Sequence, residues 1–369
     1  MESSLPTADF SVAAPPTMRA AVYKGNGEIS VESVPTPRIG RGEILVRVES
    51  CGICHTDLKK VEQNLLSPPR VFGHETAGVV VDVGDGVAKF APGDPVIAFH
   101  HIPCLECFYC RKKLYAQCPT YKKVGVTAGF EPAGGGFSQY VRVMDWIVRR
   151  GVEKMPAGVP FDRACFVEPI NTCLKAVEQV CLQPDEWVAI LGQGPIGLML
   201  TMLARRTGAT VVSTDTIARR RELSRRVGAE EVWDPRASDV VREVKALTEG
   251  RGADAVIVAT SALGITEQAI ACSRPGARIL LFAQTSHQER IEVSGADICV
   301  GERALLGCYS ASVDLQAESV RLVFSGELPV EDLISHRLPL EEIRRGISLA
   351  LHPDEESLKI VIQPQRRAL

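Results

Sequence analysis

A chain of 369 residues exceeds the size at which one hydrophobic core usually stops growing, so two domains are expected. Hydrophobic residues at 45% and charged residues at 24% give an ordinary globular balance, which excludes a disordered or fibrous protein. The formal net charge of −3 excludes the broad positive field that nucleic-acid binding requires, and no window approaches the roughly 18 apolar residues of a membrane span, so neither nucleic acid nor a membrane is expected as a partner.

The stretch Met1 to Thr17 carries three prolines and lacks the basic and apolar regions of a secretory signal. It reads as a disordered leader, residues 1–17, on a cytoplasmic protein. In that compartment thiols stay reduced, so clustered cysteines among the twelve favour metal over disulfides.

From Met18 to Val148 short β-type runs, such as Ile44 to Val48 and Gly78 to Val83, alternate with Gly/Pro punctuation such as Ala91 to Asp94. This pattern predicts a glycine-rich β-barrel domain. Beyond Pro169 the period changes. Strands at Trp187 to Leu191, Thr210 to Thr214, Ala255 to Ala259 and Arg278 to Phe282 alternate with helical patterns, among them Pro195 to Arg206 and Arg219 to Val227. Such alternation predicts a doubly wound parallel sheet covered on both faces. The strand, helix and closing strand between His336 and Ile362 are expected to return to the first domain.

The first chemical signal is Gly192-Gln193-Gly194-Pro195-Ile196-Gly197, directly between a strand and a helix. The first glycine permits the tight turn, the second lets backbone approach a pyrophosphate, and the third lets helix and strand pack closely. The N-terminus of that helix offers free N–H groups to the phosphates. Asp215, 23 residues past Gly192, can bind a ribose 2′-hydroxyl and would repel a 2′-phosphate, which favours NAD over NADP. Arg219, just past it, is of the kind that accommodates the extra phosphate and pulls the other way. A glycine-rich turn in an unrelated α/β domain is the alternative. The short clusters Arg219 to Arg221 and Arg366-Arg367 read as solvated faces.

The second signal is Cys104-x2-Cys107-x2-Cys110-x7-Cys118. Four thiolates within fifteen residues suffice for a closed tetrahedral zinc, which is structural because no coordination position stays open. An iron–sulfur cluster is the competing reading.

The third is carried by Gly52-Ile53-Cys54-His55-Thr56-Asp57 and Gly73-His74-Glu75-Thr76-Ala77-Gly78, followed in order by the cysteine loop and the dinucleotide fingerprint. Together these segments resemble the zinc-containing medium-chain alcohol dehydrogenases, from about Met18 to Ile362. The resemblance implies a GroES-like catalytic β-barrel, residues 18–170 and 320–369, and a Rossmann NAD-binding domain, residues 171–319. It further implies two zincs per chain, one catalytic and one structural, and a homodimer or homotetramer.

Residue by residue, Cys54 and His74 resemble the family's first two catalytic zinc ligands. Glu168 falls where many alcohol dehydrogenases carry a cysteine, and glutamate there resembles the sorbitol and threonine dehydrogenase branch. Glu75 is a rival oxygen ligand, and the fourth position is left for water or substrate oxygen. Thr56 resembles the family's proton relay, and Asp57 the carboxylate that orients a ligating histidine. His55 resembles a residue that contacts the cofactor pyrophosphate or ends the relay, and Thr172 one that touches the nicotinamide carboxamide.

The implied reaction is oxidation of a secondary alcohol, polyol, sugar-derived or amino alcohol, to a ketone by hydride transfer. A simple alcohol dehydrogenase is the alternative, and a non-catalytic cofactor-binding protein the alternative from another class. Cys51 and Cys54 also form a CxxC, readable as a redox pair. Cys51, Cys165, Cys173, Cys181, Cys272, Cys299 and Cys308 read as buried packing residues. His100 and His101 read as loop surface, or else as groups that meet a hydroxylated substrate. The substrate pocket is expected to draw on loops Val124 to Gly136 and Leu305 to Ser312.

Overall fold

The computed structural model describes residues 14–131, 134–283 and 290–367. Most of the leader expected over residues 1–17 lies outside them, as do two residues of the loop Val124 to Gly136. The chain divides into one unit of Met1–Glu168 with Val320–Leu369 and a second of Pro169–Ser319.

The second unit is a six-stranded sheet in which every pairing is parallel. In chain order its strands are Trp187–Leu191, Thr210–Thr214, Glu231–Trp233, Ala253–Val258, Ser273–Leu281 and Ala304–Gly307, and their spatial order is third, second, first, fourth, fifth, sixth. That is the Rossmann order. The first strand is wholly buried at Val188, Ile190 and Leu191 because helices cover the sheet on both faces, which explains its unbroken apolar run. The strand order reverses between Trp187–Leu191 and Ala253–Val258, so the carboxyl ends of these strands are the place for a ligand.

The first unit is β-rich. Strand Ile44–Gly52 pairs antiparallel with Glu75–Val83, Tyr140–Val143 and Lys359–Gln363. Alternating Ile44, Val46 and Val48 are fully buried, as the period-two pattern requires. Register shifts at Leu45/Val46 and Val48/Ser50 bend this strand just before the Cys54 segment.

Three boundaries apart, the end of Ile44–Gly52 and the starts of Glu75–Val83 and Ser273–Leu281, the sequence-derived strands fall within two residues of those observed. The β signature, however, hid the helix His55–Glu62. Its run His-Thr-Asp-Leu-Lys-Lys-Val-Glu offers too few apolar residues to show a helical period, and only Leu58, Val61 and Asp57 are buried. Cys181 and Cys299 are exposed, against the expectation of buried packing residues, whereas Cys51, Cys165, Cys173, Cys272 and Cys308 are buried.

Candidate active site

In the four-cysteine loop, Sγ–Sγ separations are 3.9 Å for Cys104 and Cys110, 3.6 Å for Cys107 and Cys110, and 3.6 Å for Cys104 and Cys118. A tetrahedron with Zn–S bonds of about 2.3 Å has edges of about 3.8 Å, so the cradle fits zinc. The cysteines are free, far outside disulfide bonding distance. Backbone N–H groups of Cys104 and Cys107 point at the Sγ atoms of Cys118 and Cys104, each at 3.4 Å, and so favour thiolate. Burial works against charge on Cys118, yet the N–H groups of Cys104, Tyr121 and Thr120 prevail and bring its pKa down to about 6.

The second cluster begins where the bent strand ends. Cys54 occupies the N-cap of the helix His55–Glu62, and its carbonyl accepts from the N–H groups of Asp57 and Leu58 at 3.0 and 3.3 Å. This places His55, exposed, and Thr56, half-buried, in the first turn, and turns Asp57 inward to 3% exposure. The Asp57 Oδ1 accepts from His74 Nδ1 at 3.1 Å and from the Gly73 N–H at 3.4 Å. With that nitrogen held, the other ring nitrogen of His74 is left for a metal. Burial disfavours charge on His74, but the adjacent Asp57 carboxylate and Cys54 sulfur outweigh it and hold the pKa well above its usual value. Burial likewise opposes charge on Asp57, and His74 still holds its carboxyl below the ordinary range.

Ligand atoms gather here in two groups, each within 4.8 Å: Cys54, His74 and Glu75, and His74, His100 and Glu168. His74 belongs to both, so the expected set Cys54, His74 and Glu168 is brought round one histidine but divided between the groups. Thiolate, imidazole and carboxylate suit zinc. Glu168 opens the helix Val167–Val180, and burial raises its pKa to about 7, with His74 opposing and Glu75 adding to the rise.

One residue of this cluster went unrecognised in the sequence. Lys359, at 3% exposure, pairs with the Glu75 carboxylate, itself at 1%, and donates to the Ile53 carbonyl at 3.1 Å. Its only signal was a lysine at the head of an apolar closing strand. His100 is buried, at 9% exposure, which corrects the loop-surface reading, and its ring centroid lies 4.6 Å from that of His74. Backbone bonds on both sides, Phe99 N–H to Gly151 and Gly125 N–H to the His100 carbonyl, hold it inward. Cys51 is also buried, and burial pushes its thiol pKa well up, which removes the low-pKa thiolate a redox CxxC needs.

In the second unit, Gly192 takes φ +98°, and a Cβ there would sit 2.9 Å from the Thr260 side chain. At Gly197 a Cβ would fall 1.9 Å from the Gly192 carbonyl oxygen, which is the close helix–strand approach expected of the third glycine. Gly194 caps the helix Pro195–Arg206, with Pro195 at its start and Ile196 next, and the space over Gly194 is open to within 3.9 Å of Arg220. That opening is the cradle a pyrophosphate needs. The Asp215 carboxylate accepts from the N–H groups of Gln193 at 2.7 Å and Ile217 at 2.8 Å.

The arginine cluster is not a solvated face. Arg220 approaches Asp215 to 4.0 Å with 16% of its side chain exposed, Arg221 pairs with Asp234 at 3.2 Å, and Arg219 is half-buried. Thr172 lies in the second turn of Val167–Val180. On that helix Asn171, Lys175 and Gln179 recur at i, i+4 and i+8 and bind one segment. The Asn171 Oδ1 accepts from the Ser312 N–H at 2.8 Å, Lys175 donates to the Tyr309 and Ser310 carbonyls at 2.7 and 3.3 Å, and Gln179 donates to the Gly307 carbonyl at 2.9 Å. The fastened segment leaves the carboxyl end of strand Ala304–Gly307, on the edge where this fold binds its dinucleotide.

Comparison with known proteins agrees with this geometry. Residues 40–154 match the alcohol dehydrogenase GroES-like domain, and residues 195–325 match the zinc-binding dehydrogenase domain. The chain is 28% identical to sorbitol dehydrogenase of Bacillus subtilis over 358 residues, covering 95% of this chain and 99% of that protein. It is 32% identical to L-threonine 3-dehydrogenase of Pyrococcus abyssi over 320 residues, covering 82% and 86%. A zinc-binding dehydrogenase of Sinorhizobium meliloti, solved with NADP bound, superposes with a TM-score of 0.85 at 30% identity, covering 94% of this chain and 99% of that one. Among the described residues no helix is long and apolar enough to cross a membrane. The chain belongs to the zinc-containing, nicotinamide-dependent alcohol dehydrogenases of the medium-chain dehydrogenase/reductase superfamily.

Proposed function

We propose that this dehydrogenase oxidises a secondary alcohol in a small hydroxyl-rich molecule, a polyol, sugar-derived or amino alcohol, to the ketone, with NAD rather than NADP. The observation that carries the reading is the His74 hub. One ring nitrogen is fixed by Asp57, and within 4.8 Å the ring gathers the Cys54 thiol in one group of ligand atoms and the Glu168 carboxylate in another. Glutamate at position 168 supports polyol or amino-alcohol substrates, as do the printed activities of the sorbitol and threonine dehydrogenase relatives.

Cys54, His74 and Glu168 are the residues to hold the catalytic zinc, and Cys104, Cys107, Cys110 and Cys118 hold the structural one. When bound, zinc supplies Lewis acidity to the alcohol oxygen and the nicotinamide supplies a hydride acceptor. Asp57 keeps His74 in one tautomer and orientation. Lys359 holds Glu75 as a charged, paired group, so that its carboxylate stays an alternate rather than a standing ligand. Thr56 takes the hydroxyl proton and passes it towards His55 and solvent. Gly192, Gly194, Pro195, Ile196 and Gly197 shape the pyrophosphate cradle, Asp215 binds the adenosine ribose with Arg219 and Arg220 beside it, and Thr172 meets the carboxamide.

A homodimer or homotetramer in the cytoplasm is the expected working form. The test is NAD reduction across polyols, sugar derivatives, amino alcohols and simple primary alcohols. Turnover confined to primary alcohols would transfer support to the simple alcohol dehydrogenase reading, which the Cys54-His55-Thr56-Asp57 segment favours.

A further inference from the structure

His100 is a buried polar side chain with no part in the site described so far. Its ring nitrogen Nδ1 is shielded from solvent and has no hydrogen-bond partner among the described residues. An unsatisfied buried donor or acceptor destabilises the fold, so it calls for an explanation. The ring is held from three directions. Its backbone is pinned on either side, the His101 ring lies tilted against it at 3.9 Å between centroids, and the His74 ring lies tilted against it at 4.6 Å. His101 is in turn fixed by its Nδ1 contact with the Lys123 carbonyl at 3.3 Å and by Tyr121, 5.1 Å away between centroids. A residue built in this way is placed, not tolerated.

The placement has a chemical sense. One nitrogen of His100, one of His74 and a carboxylate oxygen of Glu168 already lie within 4.8 Å of one another. Ligands on a tetrahedral zinc with bonds of about 2.0–2.3 Å stand roughly 3.3–3.8 Å apart, so side-chain movements of about 1 Å close the group. Glu75, the oxygen donor of the opposite group, is committed to Lys359. The donors left around His74 are Cys54, Glu168 and His100.

We propose that His100 is a ligand of the catalytic metal, giving this chain a resting shell of Cys54, His74, His100 and Glu168 in place of three protein ligands and an open position. The proposal rests on the catalytic zinc reading given above. It makes the resting centre closed, so that substrate access requires the His100 imidazole to give way.

Cobalt exchanged into the catalytic position of the full-length protein, without cofactor or substrate, tests this. Paramagnetically shifted, exchangeable ring N–H resonances count the coordinated histidines. The wild type is expected to show resonances from both His74 and His100, and His100→Gln and His100→Phe to retain the His74 resonance alone. Zinc affinity at that position, measured by chelator competition, is expected to fall about tenfold or more in both variants. The metal retained by the four-cysteine loop reports that each variant is folded. A single histidine resonance in the wild type, with metal affinity unchanged in both variants, overturns the assignment while leaving the dehydrogenase reading intact. A wild type that takes up metal at the cysteine loop alone overturns both.

Discussion

The Lys359 ammonium lies against the Glu75 carboxylate in the interior of the first unit, with both side chains almost wholly buried. Burial disfavours charge on Lys359, yet Glu75 and the Cys54 sulfur hold its pKa above the ordinary value, so the pair is ionic. Removing one member strands the other charge, at about 3–5 kcal/mol, whereas replacing both with uncharged groups of similar size is close to neutral. Lys359→Met is therefore expected to lower the denaturant-unfolding free energy by that amount, and Lys359→Met with Glu75→Gln to recover most of it. Equal losses in the single and double variants would show that the pair does not act as a unit.

The Asp57 carboxylate holds His74 Nδ1 at 3.1 Å, and in the proposed centre it acts on the metal through that ring. Asp57→Asn keeps the shape of the side chain but removes the charge that favours the ligating tautomer. Zinc affinity at the catalytic position should fall about 10–100-fold while the four-cysteine site is unaffected. Chelator competition with each site followed separately checks this, and equal loss at both sites would point to general unfolding.

Glu168 makes the metal-free protein sensitive to pH. Its carboxyl has a pKa of about 7 in the folded chain against 4.5 for the ordinary group. The folded state thus binds the proton more tightly, and stability is highest below the lower value and is lost as pH rises through the higher one. Unfolding of the apo protein should become easier between pH 4.5 and 7, and Glu168→Gln should flatten that slope. An unchanged slope in the variant would assign the effect elsewhere.

Asp215 has one carboxylate for two tasks, because it also receives the backbone N–H groups of Gln193 and Ile217. Asp215→Ala should lower the preference for NAD over NADP about 10–100-fold, the worth of a hydrogen bond to a charged group. The comparison is kcat/KM with each cofactor. A variant that keeps its preference for NAD would remove Asp215 from the discrimination.

The fastening of Gly307 to Ser312 by Asn171, Lys175 and Gln179 predicts local rather than global effects. Lys175→Met should raise hydrogen exchange in that segment and leave the Trp187–Leu191 strand protected. Uniformly faster exchange would indicate that Lys175 supports the whole unit.

What could be read in the sequence was what is local. The Gly192 to Gly197 turn and the cysteine loop are each short enough for spacing to point to their geometry, whereas the roles of Cys54 and His74 came from the family resemblance and the helix after Cys54 was hidden. The parallel sheet followed from the alternation of strand and helix periods. Lys359 escaped because its partner Glu75 lies far away in sequence, and a lysine beginning an apolar strand looks like an ordinary edge charge. His100 was named, but its buried position was hidden for a related reason. Its burial is decided by Gly151 and Gly125 on other segments, and a His-His pair before a cysteine loop carries no period of its own. The arginines beside Asp215 were read as solvated because a charge run usually is, whereas Asp234 and Asp215 draw two of them in.

The proposed zinc centre needs Glu168 for NAD-linked oxidation of a secondary alcohol. It is tested most directly by measuring zinc per chain and NAD reduction over the alcohol panel for the wild type and Glu168→Ala. Two zincs in the wild type are expected, with turnover of polyols or amino alcohols and near-complete loss of that turnover in the variant, which keeps the cysteine-loop zinc. A single zinc per wild-type chain, or turnover indifferent to Glu168, would contradict it.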